Sequence, residues 1–216
     1  MAWVSWEKLC TPKVEGGMGF RNLKAFNLAL LAKQGWRIQQ NPSCLIHRVF
    51  KAKYFMGIPF KEAQLGNRPS YVWRSIMVAK DIIVKNSTWT IGNGKRVHIW
   101  EDRWLPTSES FKVESSRGSH TEVEMVPSLI NMERRGWNVA MVKNIFLPHE
   151  VDVILGIPIS SRFPDDSLIW AWTPNGKFNV RSANPVAQKY GERRNQQGER
   201  KECLDGSRMK AIWKMI

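Results

Sequence analysis

Between residues 23 and 40 the apolar side chains Leu23, Phe26, Leu30 and Leu31 return at helical spacing. The segment predicts a helix that Asn41-Pro42 ends, because a residue before proline avoids the helical region. Gly35 inside it costs about 1 kcal/mol relative to alanine and weakens its last turns. A second helix is predicted from Ser43 to about Tyr54. Its apolar face is Leu45, Val49 and Ala52, with His47, Arg48 and Lys51 as a basic strip on the other side. A third runs from Ser70 to Lys85 on Val72, Ile76, Ala79 and Ile83. Residues 10–20, with Pro12, Gly16, Gly17 and Gly19, read as a loop.

After the third helix the period drops to two. Trp89 and Ile91, then Val97 and Ile99, alternate around Gly92-Asn93-Gly94 and predict a β-hairpin. A three-residue turn puts Trp89 opposite Val97 with Ile91 and Ile99 on the same face, and Gly94 supplies its left-handed position. Residues 105–124 are polar and aperiodic, a long surface loop. Short helices are expected near 127–134, 138–146 and 148–155. A second hairpin is expected from Leu168–Thr173 and Lys177–Arg181 around Pro174-Asn175-Gly176. Ser182 is a candidate cap for a last short helix reaching about Tyr190. Residues 191–210 have few apolar side chains and read as a flexible linker, with apolar character returning at 211–216. The expected class is α+β: a mainly helical N-terminal half, then two small β-hairpins and short helices, then the linker.

Charge changes this picture more than composition does. The net charge is +14, and residues 1–100 hold 16 Lys and Arg against 4 Asp and Glu, an excess of 12. Residues 101–216 hold 17 against 15, an excess of 2. A basic front half points to a polyanionic partner, RNA or DNA bound without sequence preference. The bland alternative is a basic surface that serves solubility. Arg37, Arg48, Lys51, Lys53 and Arg74 are the candidate nucleic-acid contacts, several of them beside aromatic residues such as Trp36, Phe50, Tyr54 and Trp73. The competing reading of that interleaving is an aromatic core with cations merely flanking it. Cys10, Cys44 and Cys203 are odd in number and far apart, which fits a reducing compartment. No signal peptide or membrane span is legible, so the expectation is a soluble intracellular chain of nucleus or cytoplasm with no membrane partner.

Catalytic candidates weaken on inspection. Phe163-Pro164-Asp165-Asp166 matches the aromatic-x-Asp-Asp pattern of reverse transcriptases, where clustered carboxylates hold two divalent ions. A proline beside the aspartates spoils the required hairpin, and no third carboxylate has a suitable setting. Glu101-Asp102 next to Arg103 reads as a surface pair or turn. Cys44-x-x-His47 offers two metal ligands where a closed zinc site needs four, and His98, His120 and His149 stand apart. Gly16-Gly17-Met18-Gly19, Gly92-Asn93-Gly94-Lys95 and Ser207-x-x-Lys210 are chance matches to phosphate loops and a nucleophile motif. No catalytic residue, metal or cofactor is expected.

Longer strings are more specific. Trp6-Glu7-Lys8-Leu9-Cys10-Thr11-Pro12-Lys13, Gly16-Gly17-Met18-Gly19-Phe20-Arg21-Asn22-Leu23, and Leu65-Gly66 with Pro69-Ser70-Tyr71-Val72-Trp73 form one group. Trp89-Thr90-Ile91-Gly92-Asn93-Gly94 with Trp100-Glu101-Asp102-Arg103-Trp104, Leu168-Ile169-Trp170, and Asn175-Gly176-Lys177-Phe178-Asn179-Val180-Arg181-Ser182 form another. Together, over about residues 3–190, they resemble the region after the polymerase in plant non-LTR (LINE-type) retroelement reverse transcriptases. The resemblance implies a stretch connecting the polymerase thumb to the zinc-binding and ribonuclease H segments. Asn184-Pro185 departs from the family, which has an aromatic there, and this bears on the last helix. The division expected is a thumb-like helical region 1–86, a Trp-rich hairpin 87–104, a loop 105–126, a small α+β region 127–190, and a linker with the start of the zinc-binding segment in 191–216. The function implied is a non-catalytic fragment that contacts nucleic acid and scaffolds its parent polyprotein. The rivals are an inert retroelement remnant and a Trp-rich protein-interaction module.

Overall fold

The computed structural model describes residues 4–11, 13–106, 110–118 and 122–192. His120, Cys203, the Ser207-x-x-Lys210 pattern and all but the first residues of the expected linker lie outside them. The chain divides into two compact units, one of residues 1–85 with 178–216 and the other Asn86–Lys177. The class is α+β as expected, with a mostly helical first half and two small two-stranded sheets.

In the first unit a short helix α1 (Trp6–Cys10) starts on the Ser5 hydroxyl, and α2 (Leu23–Gln40) starts on the Asn22 side chain, which accepts the Ala25 N–H at 3.1 Å. The core face of α2 differs from the expected one. It buries Ala25, Ala29, Ala32, Gly35 and Ile38, while Leu23 stays 61% exposed. A Cβ on Gly35 would lie 2.5 Å from Ile83 Cδ1 and 3.4 Å from Phe60 Cζ. The glycine therefore sets how closely α2 packs, which offsets its unfavourable helix propensity.

The next two helices are α3 (Leu45–Tyr54) and α4 (Tyr71–Asn86). Trp73 of α4 is the centre of an aromatic core, stacked on Tyr54 at 4.7 Å and on Phe55 at 5.8 Å. Its indole N–H donates to the Gln64 carbonyl at 3.3 Å. On α4, Ile76, Ala79 and Ile83 are buried as their spacing predicts, but Trp73 takes the inward place expected of Val72, which is exposed. Residues 180–192 form a further helix, α7, that runs through Pro185. It is capped by Asn179, whose side chain accepts the Ser182 N–H at 2.8 Å, and not by Ser182 itself. Buried Ala183 and Ala187, Phe178 stacked on Trp36 at 5.7 Å, and the Tyr190 hydroxyl donating to Asp81 at 3.1 Å join this segment to its unit.

The second unit corrects both predicted hairpins. β1 (Ser87–Thr90) and β4 (Ser167–Trp170) are antiparallel partners, with Ser87 opposite Trp170 and Thr90 opposite Ser167. Alternation identified both strands but carries no information about the partner. The glycine turns form where expected, with Gly94 at φ 73° and Gly176 at φ 66°. Val97 and Ile99 are buried as predicted, but instead of facing β1 their backbone bonds to residues 124–126. The Ile99 N–H donates to the Glu124 carbonyl at 2.9 Å and the Val97 carbonyl accepts the Val126 N–H at 3.1 Å, a single bridge centred on His98 and Met125. The helix expected over 127–134 is instead a 3-10 turn, Val126–Leu129, followed by a small hairpin of β2 (Ile130–Asn131) and β3 (Gly136–Trp137). Then come α5 (Val139–Ile145) and α6 (Pro148–Gly156), the latter with proline in its first turn, where the missing N–H costs nothing. Val97, Ile99, Leu105, Leu129, Val142 and Ile154 form the centre of this core.

With so few ladder bonds, the unit relies on indoles for its irregular backbone. Trp100, Trp104 and Trp137 donate their ring N–H to the carbonyls of Val123, Ile99 and Ile157 at 2.8, 3.0 and 2.8 Å. A buried indole needs such a partner, and here that need anchors loops.

Candidate nucleic-acid interface

Arg37, Arg48, Lys51, Lys53 and Arg74 are all exposed. No Asp or Glu occurs between Glu15 and Glu62, so α2 and α3 carry cations without any carboxylate of their own. Among the described residues no carboxylate forms an ion pair with any of the five. Arg48 and Lys51 lie one turn apart on one edge of α3. Lys53 lies on the other edge, its ammonium 5.3 Å from the Tyr54 ring centre. Arg37 sits in the last turn of α2 and Arg74 on α4. Helical geometry thus pairs Arg48 with Lys51 and separates the others. Lys33, one turn before Arg37 and also exposed, belongs beside it; the i, i+4 spacing carried that signal. Lys80 is the exception: its ammonium turns inward to the Ala63 carbonyl at 2.5 Å, and burial lowers its pKa.

The aromatic neighbours of these cations mostly serve the core. Trp73 is buried beside exposed Arg74, and Trp36 packs on Phe178 beside exposed Arg37. On α3 the apolar stripe is exposed along with Arg48 and Lys51, and of the expected basic strip His47 alone turns inward. His47 is 8% exposed and Leu45 is 73% exposed. The ring explains the choice: His47 Nδ1 is 2.6 Å from the Ile38 carbonyl, which can only accept, so Nδ1–H donates there. Cys44 is the cap of α3, its sulfur accepting the His47 N–H at 3.4 Å. The Cys44-x-x-His47 spacing is therefore a capping contact. Among the described residues, no group of three or more His, Cys, Asp or Glu is placed to hold a metal ion.

The aspartate pair has an equally local explanation. Asp166 is buried, and its Oδ1 accepts the N–H groups of Gly92 and Gly94 at 2.7 and 2.8 Å. Its Oδ2 accepts the N–H of Arg96 at 2.9 Å. Asp165 accepts from the Asn93 side chain at 3.0 Å. Gly92 passes so close to the Pro164 carbonyl that a Cβ would fall 2.0 Å from its oxygen. The Gly92-Asn93-Gly94 turn and the Asp165-Asp166 pair, distant in sequence, are two halves of one clasp. Buried Asp102 likewise accepts the His98 N–H at 2.9 Å, while Glu101 is exposed. Buried Glu150 on α6 accepts the Glu114 N–H at 2.6 Å and bonds both the N–H and hydroxyl of Ser115. No sequence pattern pointed to Glu150.

No helix of the described residues is long and apolar enough to cross a membrane. Two plant relatives are informative. The chain is 43% identical over 106 residues to "Uncharacterized mitochondrial protein AtMg00310" of Arabidopsis thaliana, a match covering 49% of this chain and 69% of the relative. It is 31% identical over 188 residues, 83% of its length, to "Putative ribonuclease H protein At1g65750" of the same plant, and spans 30% of that protein. No family model and no solved structure matches it. The chain belongs to the family of plant, retroelement-related proteins that includes the uncharacterized mitochondrial protein of Arabidopsis thaliana.

Proposed function

We propose that this chain is the non-catalytic connecting region of a plant LINE-type reverse transcriptase, and that its first unit contacts RNA or DNA without sequence preference. One observation carries the reading: α2 and α3 present exposed cations along a stretch with no carboxylate to neutralise them. Such a surface binds phosphates by releasing counterions and has no geometry for reading bases. A Trp-based interaction module is less favoured, since Trp73, Trp104 and Trp170 are buried in the cores and, among the described tryptophans, Trp6 and Trp172 are the exposed ones. The Asp165-Asp166 pair does not favour polymerisation, because both Asp166 oxygens are engaged by backbone N–H groups. The chain then contributes positioning and affinity, and chemistry belongs to other parts of a polyprotein.

The test is a salt titration of the full chain with a labelled single-stranded 30-mer. The logarithm of affinity should fall linearly with the logarithm of salt concentration, about 0.7 per phosphate contact. Replacing Arg37, Arg48, Lys51 and Lys53 with Gln should flatten that slope. A folded chain that fails to bind at low salt, or a variant with an unchanged slope, overturns the reading. Mg²⁺-dependent primer extension by the purified chain, lost in Asp165→Ala with Asp166→Ala, would overturn the non-catalytic part.

A further inference from the structure

The outward side of α3 is apolar. At about 100° per residue, Leu45, Val49 and Ala52 fall within an arc of roughly 60°, and all three are exposed. Leu45 is 73% and Val49 54% exposed, and Met56, just past the helix, is 78% exposed. Cations flank the stripe on both sides, Arg48 and Lys51 on one and Lys53 on the other, with no acidic residue in the helix. An aliphatic stripe contributes nothing to phosphate contact. It also lacks the planar groups on which bases stack.

We infer that this face of α3 docks an acidic amphipathic helix of a protein partner. The spacing i, i+4, i+7 is that of helix-on-helix anchors, and Ala52 leaves room for a close approach. The flanking cations call for carboxylates on both edges of the partner's apolar stripe, which sets its chemistry and excludes a basic one. Met56 adds an adaptable apolar end. The inference goes beyond nucleic-acid contact; the two share Arg48, Lys51 and Lys53, and Leu45 with Val49 are the determinants that tell them apart.

The probe is a synthetic amphipathic helical peptide with leucine at i, i+4 and i+7 and glutamate on both flanks, titrated into the full chain. It should bind, and Leu45→Ser with Val49→Ser should weaken binding at least about tenfold. Both residues are exposed, so this variant should keep its melting temperature and its affinity for the 30-mer. The same peptide with lysine for glutamate should not bind. Failure of the glutamate peptide to bind, or equal binding by the double variant, overturns the inference. So does concentration-dependent dimerisation lost in the double variant, which would make a second copy the occupant. Binding to anionic vesicles that depends on Leu45 and Val49, without peptide binding, would assign the face to lipid instead. The nucleic-acid reading is judged separately, by the Gln variant and the salt slope.

Discussion

The two units use charge in opposite directions. In the first, the cations of α2 and α3 point to solvent, and the buried polar side chain among the described residues is His47, spent on one carbonyl. In the second, Asp102, Glu150 and Asp166 are buried, each accepting backbone N–H groups of a loop. The difference follows from backbone economy. Long helices satisfy their own N–H groups, so unit one has no need of internal acceptors and its charges are available to a partner. A unit of short helices and strands of two or four residues leaves many N–H groups unmatched, and a carboxylate, accepting several at once, is an efficient remedy. A carboxylate pair in such a domain is as readily a clasp as a metal site.

The contrast can be broken at its strongest point first. Asp166→Ala removes the acceptor of three backbone N–H groups. It should cost about 3–5 kcal/mol in urea unfolding, against roughly 0.5 kcal/mol or less for exposed Asp165→Ala. Equal effects of the two would show that buried carboxylates do not hold unit two. Gly92→Ala should come next, at about 2–3 kcal/mol, because its Cβ meets the rigid Pro164 backbone. A thermal melt that leaves Gly92→Ala unchanged would mean that the clasp closes less tightly than described.

Gly35→Ala sharpens the comparison from the other unit. Its Cβ meets the tip of the Ile83 side chain, which can move at some expense in a packed core. Overpacking of about 1–3 kcal/mol less a helix-propensity gain of about 1 leaves a net loss of about 1 kcal/mol. A stabilised variant in calorimetry would show that α2 and α4 are not held at the glycine-limited distance. The smallest effect belongs to Arg48→Gln with Lys51→Gln, expected to move stability by no more than about 0.5 kcal/mol while weakening nucleic-acid binding. A drop well beyond that in denaturant titration would make the outward charge structural.

Much of the helical half was legible because long amphipathic periods and strong stops are local. Leu23 and Gln40 bound α2 as the pattern and Asn41-Pro42 suggest. The faces were not legible. Ala25, Ala29, Ala32 and Gly35 carry weak hydropathy, so the leucines looked like the core, yet only small side chains permit the close packing that decided the matter. On α3 the hydrogen bond of His47 to Ile38 outweighs the apolarity of Leu45, and no residue spacing encodes that bond. In the second unit, strands and turns could be seen at Trp89, Gly94, Leu168 and Gly176, but pairing is non-local. The candidate cations were legible as exposed charge. That Lys33 accompanies Arg37, and that Lys53 stands away from Lys51, was also legible once the two expected helices were wound at about 100° per residue.

The clasp also sets a timetable. Asp166 reaches back 74 residues to Gly92, and unit one is joined by residues beyond 177. At synthesis rates of about 5–20 residues per second, β1 waits on the order of 4–15 s for its partner strand to be translated. During that interval Trp89 and the unpaired strand edge are open to wrong partners or to a chaperone. A nonsense codon anywhere ahead of Trp170 would deprive both units of native segments at once.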